Sequence, residues 1–294
     1  MITGRIKAML EACEAGQPSF PPTVLFSEGW LLRVVLDWFA GHGGDRYPLS
    51  PMLGARWFSE AWLPSAFLPR HKGDALAESR THADGVVGHF TIGDPGSSGL
   101  NLAADAHQLV VLEAKLFNRL SSGIRNALYY DQAARSVACM AEVLRRAGRP
   151  PESMTDLAFL IVAPRDRIDD GVFSRDLSAE AIRRKVRRRV DAYAGDRDAW
   201  YRDWFEPTLI RADLRCLAWE DVVETIAFHD PVAGQFIDSF YGKCLRFNRP
   251  RERSNFPGRH ARAESPASPD RPDDRPRPLP SRRGDPRRLG PLPH

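Results

Sequence analysis

Only four cysteines occur in 294 residues, at positions 13, 139, 216 and 244, and no two stand in a C-x-x-C spacing. No clustered histidines accompany them, so neither a zinc site nor a disulfide framework is expected. They read as buried thiols in a reducing compartment. The chain also lacks an apolar run of about 18 residues, which excludes a membrane-spanning helix of ordinary length. Its first twenty residues lack the apolar core of a secretory signal, so the expectation is a soluble cytoplasmic protein with no membrane partner. Gly-x-x-x-x-Gly-Lys-Ser/Thr is missing too, which argues against an ATP-driven motor. Internal repeats are absent, and with 43% hydrophobic residues there is material for one large core.

A net charge of +4 suggests a basic protein, but the charge is unevenly placed. Residues 249–294 hold twelve arginines against six acids and 11 of the 24 prolines, which leaves residues 1–248 at a net charge of −2. With few aliphatic residues the tail cannot offset its chain entropy, and it reads as disordered. It is either a solubilising extension or an arginine-rich arm for nucleic acid. Any electrostatic attraction to nucleic acid by the body must be local.

The body, residues 1–248, alternates helix and strand signals as one α/β domain. Leu31, Leu32, Val35, Leu36 and Phe39 recur at helical spacing after Ser27-Glu28, and the pattern stops at Gly41 to Gly44. A short strand is placed near Ala61 to Leu68. Strands are also expected over Asp84–Ile92, Leu109–Leu116, Asp156–Ala163 and Leu214–Trp219. Alanine-rich sequence from Asn126 to Ala147 predicts a helix, and strand-helix-strand over this length favours a parallel crossover. Ser178 caps a further helix to about Tyr193, within a helical elaboration reaching Phe205, and Glu220 to Ala227 reads as helical.

Glu113 and Lys115 lie two apart at the end of the Leu109–Leu116 strand, so they share a face of the sheet. Buried charges need partners. A divalent cation and a phosphate would supply them; an ion pair between the two residues is the simpler alternative, favoured on Glu113-Ala114-Lys115 alone. The wider order of helix, strand carrying Asp84, strand ending in Glu-Ala-Lys, then helix resembles the PD-(D/E)XK phosphodiesterase superfamily. The likeness runs from about Ser27 to Ala163, with Leu214–Trp219 as a last strand, and covers roughly half the chain.

That resemblance implies a restriction-endonuclease-like core, a mixed sheet flanked by helices in αβββαβ order, and a metal-dependent nuclease acting on DNA, with RNA left open. Asp84 and Glu113 would bind Mg²⁺ or Mn²⁺, the carbonyl of Ala114 would complete the sphere, and Lys115 would position the attacking water. Glu28 would share the metal, the alternative being a helix-start acid stabilised by the dipole. Gln132 would sit beside the site, and Arg135, one turn later, would reach a phosphate. Asp84 and Glu113 are 29 positions apart, a wide connection, which keeps Asp105 in reserve as the partner acid, although its setting reads as a turn.

His82, His89 and His107 flank these strands without a catalytic spacing. Arg183, Arg184, Lys185, Arg187, Arg188 and Arg189 crowd two helical turns, where they either meet phosphates or pair with Glu180, Asp191 and neighbouring acids. Trp200, Tyr201, Trp204 and Phe205 read as core before base-stacking residues. A catalytically inert binding subunit with the same fold is the rival reading, and a homodimer or a larger defence or repair complex is open in either case.

Overall fold

The computed structural model describes residues 2–42, 47–78, 81–93, 99–123 and 127–250. The tail beyond residue 250 lies outside the described residues, as do 43–46, where the glycine stop of the first expected helix falls, and Asn126. In chain order the elements are α1 (Ile2–Glu14), α2 (Glu28–Gly41), β1 (Arg56–Leu63), β2 (Thr81–Gly88), β3 (Phe90–Ile92), β4 (Leu100–Leu102), β5 (Gln108–Ala114), α3 (Gln132–Ala147) and β6 (Asp156–Ala163). There follow α4 (Arg165–Asp169), α5 (Ser174–Leu177), α6 (Ala179–Asp191), α7 (Asp198–Trp200), a π-turn at Tyr201–Phe205, α8 (Glu206–Arg211), β7 (Asp213–Ala218), α9 (Trp219–His229) and α10 (Pro231–Asn248). Among the described residues no helix is long and apolar enough to cross a membrane.

A five-stranded mixed sheet runs β1-β2-β5-β6-β7. β1, β2 and β5 form an antiparallel meander, whereas β5, β6 and β7 are parallel. The meander ends where α3 crosses over, because parallel neighbours need a long connection. β5 is buried along its whole length, which is why it reads as an uninterrupted apolar run. One face packs Val111, Phe159 and Ile161 against Val137 and Leu144 of α3 and Ile182 and Val186 of α6. The opposite face packs Val110, Leu112, Leu160 and Val162 against Leu32 and Leu36 of α2, Trp219 and Val222 of α9, and Ile237 of α10.

Capping fixes the helix starts that matter for the site. Ser27 Oγ accepts from Trp30 N at the head of α2, and Asp131 accepts from Ala134 N at the head of α3. Gly148, in the left-handed region with φ 61°, ends α3.

Several boundaries differ from the sequence reading. The strand expected near Ala61–Leu68 begins earlier, at Arg56, and ends at Leu63. The segment expected as one strand over Asp84–Ile92 is two. β2 starts at Thr81, so Asp84 lies within the strand and not at its head. It stops at Gly88, where a Cβ would stand 2.2 Å from the Gln108 carbonyl oxygen; only glycine fits this approach. His89 then turns aside, its Nδ1 facing Gln108 N, and β3 pairs with β4 in a separate ribbon. That ribbon occupies much of the wide interval between Asp84 and Glu113. The helix expected from Asn126 starts at Gln132. Cys13, Cys139 and Cys244 are buried, whereas Cys216 is half-buried; burial still pushes the Cys216 thiol up to about 11.

Candidate active site

β2 pairs with β5 from Gly88↔Leu109 to Gly85↔Leu112 and no further among the described pairs. Past that point the strands part, and Asp84 occupies the fork. Its Oδ2 accepts from the N–H of buried Ala114 at 2.8 Å, so a side chain takes a backbone donor that a partner strand would otherwise satisfy. On β1, the register skips Glu60 between Ser59↔Gly85 and Ala61↔Ala83. Glu60 has φ 56°, an uncommon conformation for a non-glycine residue and a local strain beside the fork.

Glu113 is fully buried and Lys115 is 7% exposed. Lys115 Nζ lies 3.3 Å from Glu113 Oε2 and 3.6 Å from Asp84 Oδ2. Gln132, the first residue of α3, donates from Nε2 to Glu113 Oε2 at 2.5 Å and accepts at Oε1 from Ser121 N. Glu28, the first residue of α2, accepts from Leu116 N at 2.9 Å. Trp219, which the sequence reading did not single out, donates its indole N–H to the Lys115 carbonyl at 3.0 Å. Nothing local in sequence marks that contact, because 104 positions separate the partners.

Burial raises the Glu113 pKa well above the ordinary carboxylate range, and Asp84 raises it further by charge and by hydrogen bonding, against the opposing pull of Lys115. Glu28 is raised by burial, with Lys115 opposing. Burial works against the Lys115 ammonium, but Glu113, Asp84 and Glu28 outweigh it and its pKa rises. Three acids around one lysine therefore favour a charged Lys115 and a readily protonated Glu113. Glu113 Oε1 is buried with no donor. Two facing carboxyls with an orphaned oxygen are satisfied by a shared proton or by a cation.

Hard carboxylate oxygens suit Mg²⁺ or Mn²⁺, and the orphaned Oε1 fits such an ion chemically. Among the described residues, however, no three His, Cys, Asp or Glu side chains stand grouped as a ready metal cage. Lys115 lies between the acids, so the fit is of donor chemistry and not of a formed cage.

Asp105 lies in an exposed turn before β5, whereas Glu113 is near that strand's other end. At about 3.3 Å per residue the strand alone separates them by more than 15 Å, so Asp84 is the acid that meets Glu113. His82 accepts from the Trp62 indole at 3.0 Å, and His89 and His107 lie beside the start of β5. Trp200 and Phe205 are buried, with Tyr201 and Trp204 packed against the same core.

The basic residues are partnered differently from a free phosphate-binding row. Arg135 turns inward, donating to Thr81 Oγ1 at 3.1 Å with Glu78 4.0 Å away. Arg183 pairs with Glu206, Arg184 with Glu180, Lys185 with Asp131 and Asp176, and Arg187 with Asp191 and Asp198. Arg189 is 1% exposed and donates to the Leu76 carbonyl. Arg188 lies 3.9 Å from the Tyr129 centroid, and Arg187 5.0 Å from that of Tyr201.

The chain matches no protein-family model, no curated protein and no solved structure.

The raised Glu113 pKa has a sign that can be measured. A carboxyl whose folded pKa exceeds its unfolded value contributes stability at acidic pH, and loses it as pH rises through the folded value. Glu113→Gln keeps the shape and removes that charge. Without metal at pH 8, the variant is expected to melt about 2–4 °C above the parent, the shift that roughly 1 kcal/mol gives in a domain of this size. The difference should vanish near pH 4.5. A Glu113→Gln melting point at or below that of the parent at pH 8 would contradict the proposed charge cost.

Proposed function

We propose that this chain is a Mg²⁺-dependent phosphodiester hydrolase of nucleic acid, DNA in the first place, built on a restriction-endonuclease-like core. The observation that carries this reading is the convergence of Asp84, Glu113 and Lys115, with Glu28 and Gln132, at the fork between β2 and β5. A structural ion pair needs one acid and one base. Here three acids and a lysine crowd one point and leave a buried carboxylate oxygen without a donor, an arrangement suited to a function and poor for stability.

Asp84 and Glu113 would hold the cation, with Glu28 adjoining and the Ala114 carbonyl as the further ligand the family resemblance implies. Mn²⁺ is the natural substitute. When bound, the ion would supply charge for a phosphoryl oxygen and acidify its water. Gln132 fixes the Glu113 carboxylate, and the Leu116 N–H holds Glu28 in place. Lys115, charged, would orient the attacking water and balance negative charge on the phosphoryl group. The site thus supports hydrolysis by positioning and charge, without a covalent intermediate.

The test incubates the full chain with linear, circular and branched DNA, and with RNA, in Mg²⁺, Mn²⁺ or EDTA. Cleavage in either metal and none in EDTA is expected. No cleavage of any substrate would sink the catalytic reading and leave the rival, an inert binding subunit.

A further inference from the structure

Beside the candidate active site is a cavity of about 540 Å³, lined by Leu120, Ser122, Leu128 and Tyr129 on one side and Arg175, Arg184, Lys185 and Arg188 on the other, with Asp131 and Asp176 between. Four cations against two acids make it basic within a body that is slightly acidic overall. Its charges are not equivalent. Lys185 is committed to Asp131 and Asp176, which ties α6 to the cap of α3. Among the described residues Arg175 and Arg188 have no carboxylate within salt-bridge distance, and Arg184 has only an exposed pair with Glu180. Exposed pairs of this kind exchange readily for another anion.

The Arg188 guanidinium lies 3.9 Å from the centre of the half-buried Tyr129 ring, and Leu128 beside it is 69% exposed. A guanidinium held on a ring keeps its N–H edges free for phosphate, while its outer plane, with exposed Leu128 beside it, offers a face to a flat ring. The cavity also connects to the reacting centre. Ser122 follows Ser121, whose N–H bonds Gln132, and Gln132 bonds Glu113.

From these features we infer that the cavity binds a single strand of nucleic acid next to the metal site, an unpaired base resting on Leu128 and the Arg188–Tyr129 stack and the phosphates meeting Arg175, Arg184 and the edge of Arg188. This deepens the nuclease reading and rests on it for the identity of the ligand. A volume of about 540 Å³ lies in the range that envelops a small ligand, roughly 300–1,000 Å³, and so suits one or two nucleotides and not the breadth of a duplex. Base faces inside a duplex are already stacked, so a platform made by a guanidinium lying on a ring discriminates in favour of unpaired strands.

Binding is separable from catalysis. The full chain carrying Asp84→Ala is titrated, in EDTA, into a fluorescein-labelled 12-nucleotide oligomer (roughly one OB-fold site in length) and into the same oligomer annealed to its complement. The single strand is expected to bind at least about tenfold more tightly. Adding Tyr129→Ala should weaken single-strand binding about tenfold and leave duplex binding unchanged, while Tyr129→Phe should retain it. Arg175→Gln with Arg188→Gln should lower the slope of log affinity against log salt by about 1.4, as expected for two lost contacts to a single strand. Arg202→Gln, outside the cavity lining and paired with Asp203, should change neither.

Equal affinity for the two forms, no binding, or unchanged binding in the Tyr129→Ala and double-arginine variants would overturn the inference. Because the assay needs neither metal nor Asp84, a chain that binds in this pattern yet never cleaves would sink only the catalytic reading.

Discussion

Lys115→Ala and Asp84→Ala are each expected to lower Mg²⁺-dependent cleavage by about 10³-fold, the middle of the range for loss of one catalytic group. The two substitutions fail for different reasons. Lys115→Ala removes the ammonium 3.3 Å from Glu113 and 3.6 Å from Asp84, leaving acids that repel one another and retain protons to higher pH. Its residual activity should therefore improve at alkaline pH. Asp84→Ala removes a proposed metal ligand and also releases the Ala114 N–H. Asp84→Asn separates these effects, since its carbonyl can still accept from Ala114 while the charge is gone. Loss of activity in Asp84→Asn with an unchanged melting point would assign the charge to catalysis. Full cleavage in Lys115→Ala or in Asp84→Asn would remove that residue from the mechanism.

Trp219→Ala should have the largest effect on stability, about 3–5 kcal/mol by urea denaturation. The indole is fully buried in the layer shared by α2, α9 and α10, and deletion would leave a cavity under the end of β5. It also holds the Lys115 carbonyl. Trp219→Phe fills most of that space but loses the donor, so about 1–3 kcal/mol is expected from the buried oxygen left unpaired. Since a domain of this kind is stable by only about 5–15 kcal/mol, the alanine variant would remove a large share. A loss below about 1 kcal/mol in Trp219→Ala would show that this layer collapses around the gap.

Much of the sheet was legible because β5 and β6 are buried on both faces and read as continuous apolar runs, while Ser27, Ser178 and the alanine-rich α3 mark helices by capping and propensity. Glu113 and Lys115 could be picked out for the same reason, since charged groups at the end of such a run need an explanation, whereas Asp84, Glu28 and Gln132 were reached through the family resemblance. What stayed hidden depends on distant partners. The break at Gly88 is set by the approach of Gln108, and α10, whose Ile237, Phe240 and Cys244 are buried, is held by packing on α9 and α2. The arginine cluster looked uniform in sequence, yet neighbouring elements divide it: Arg189 enters the core, Arg183 and Arg187 meet acids, and Arg188 faces Tyr129.

The seat of Glu28 has a consequence for when the site comes into being. Asn248 donates to the Phe26 carbonyl at 2.6 Å, and Phe26 also meets the rings of Phe240 and Phe247, so the turn ahead of Glu28 is braced by α10. A chain still emerging from the ribosome lacks this brace until residue 248 has cleared the exit tunnel. The seat of the third acid thus depends on a contact 222 positions further along the chain, and a truncation ahead of α10 would loosen it while leaving every strand of the sheet in place.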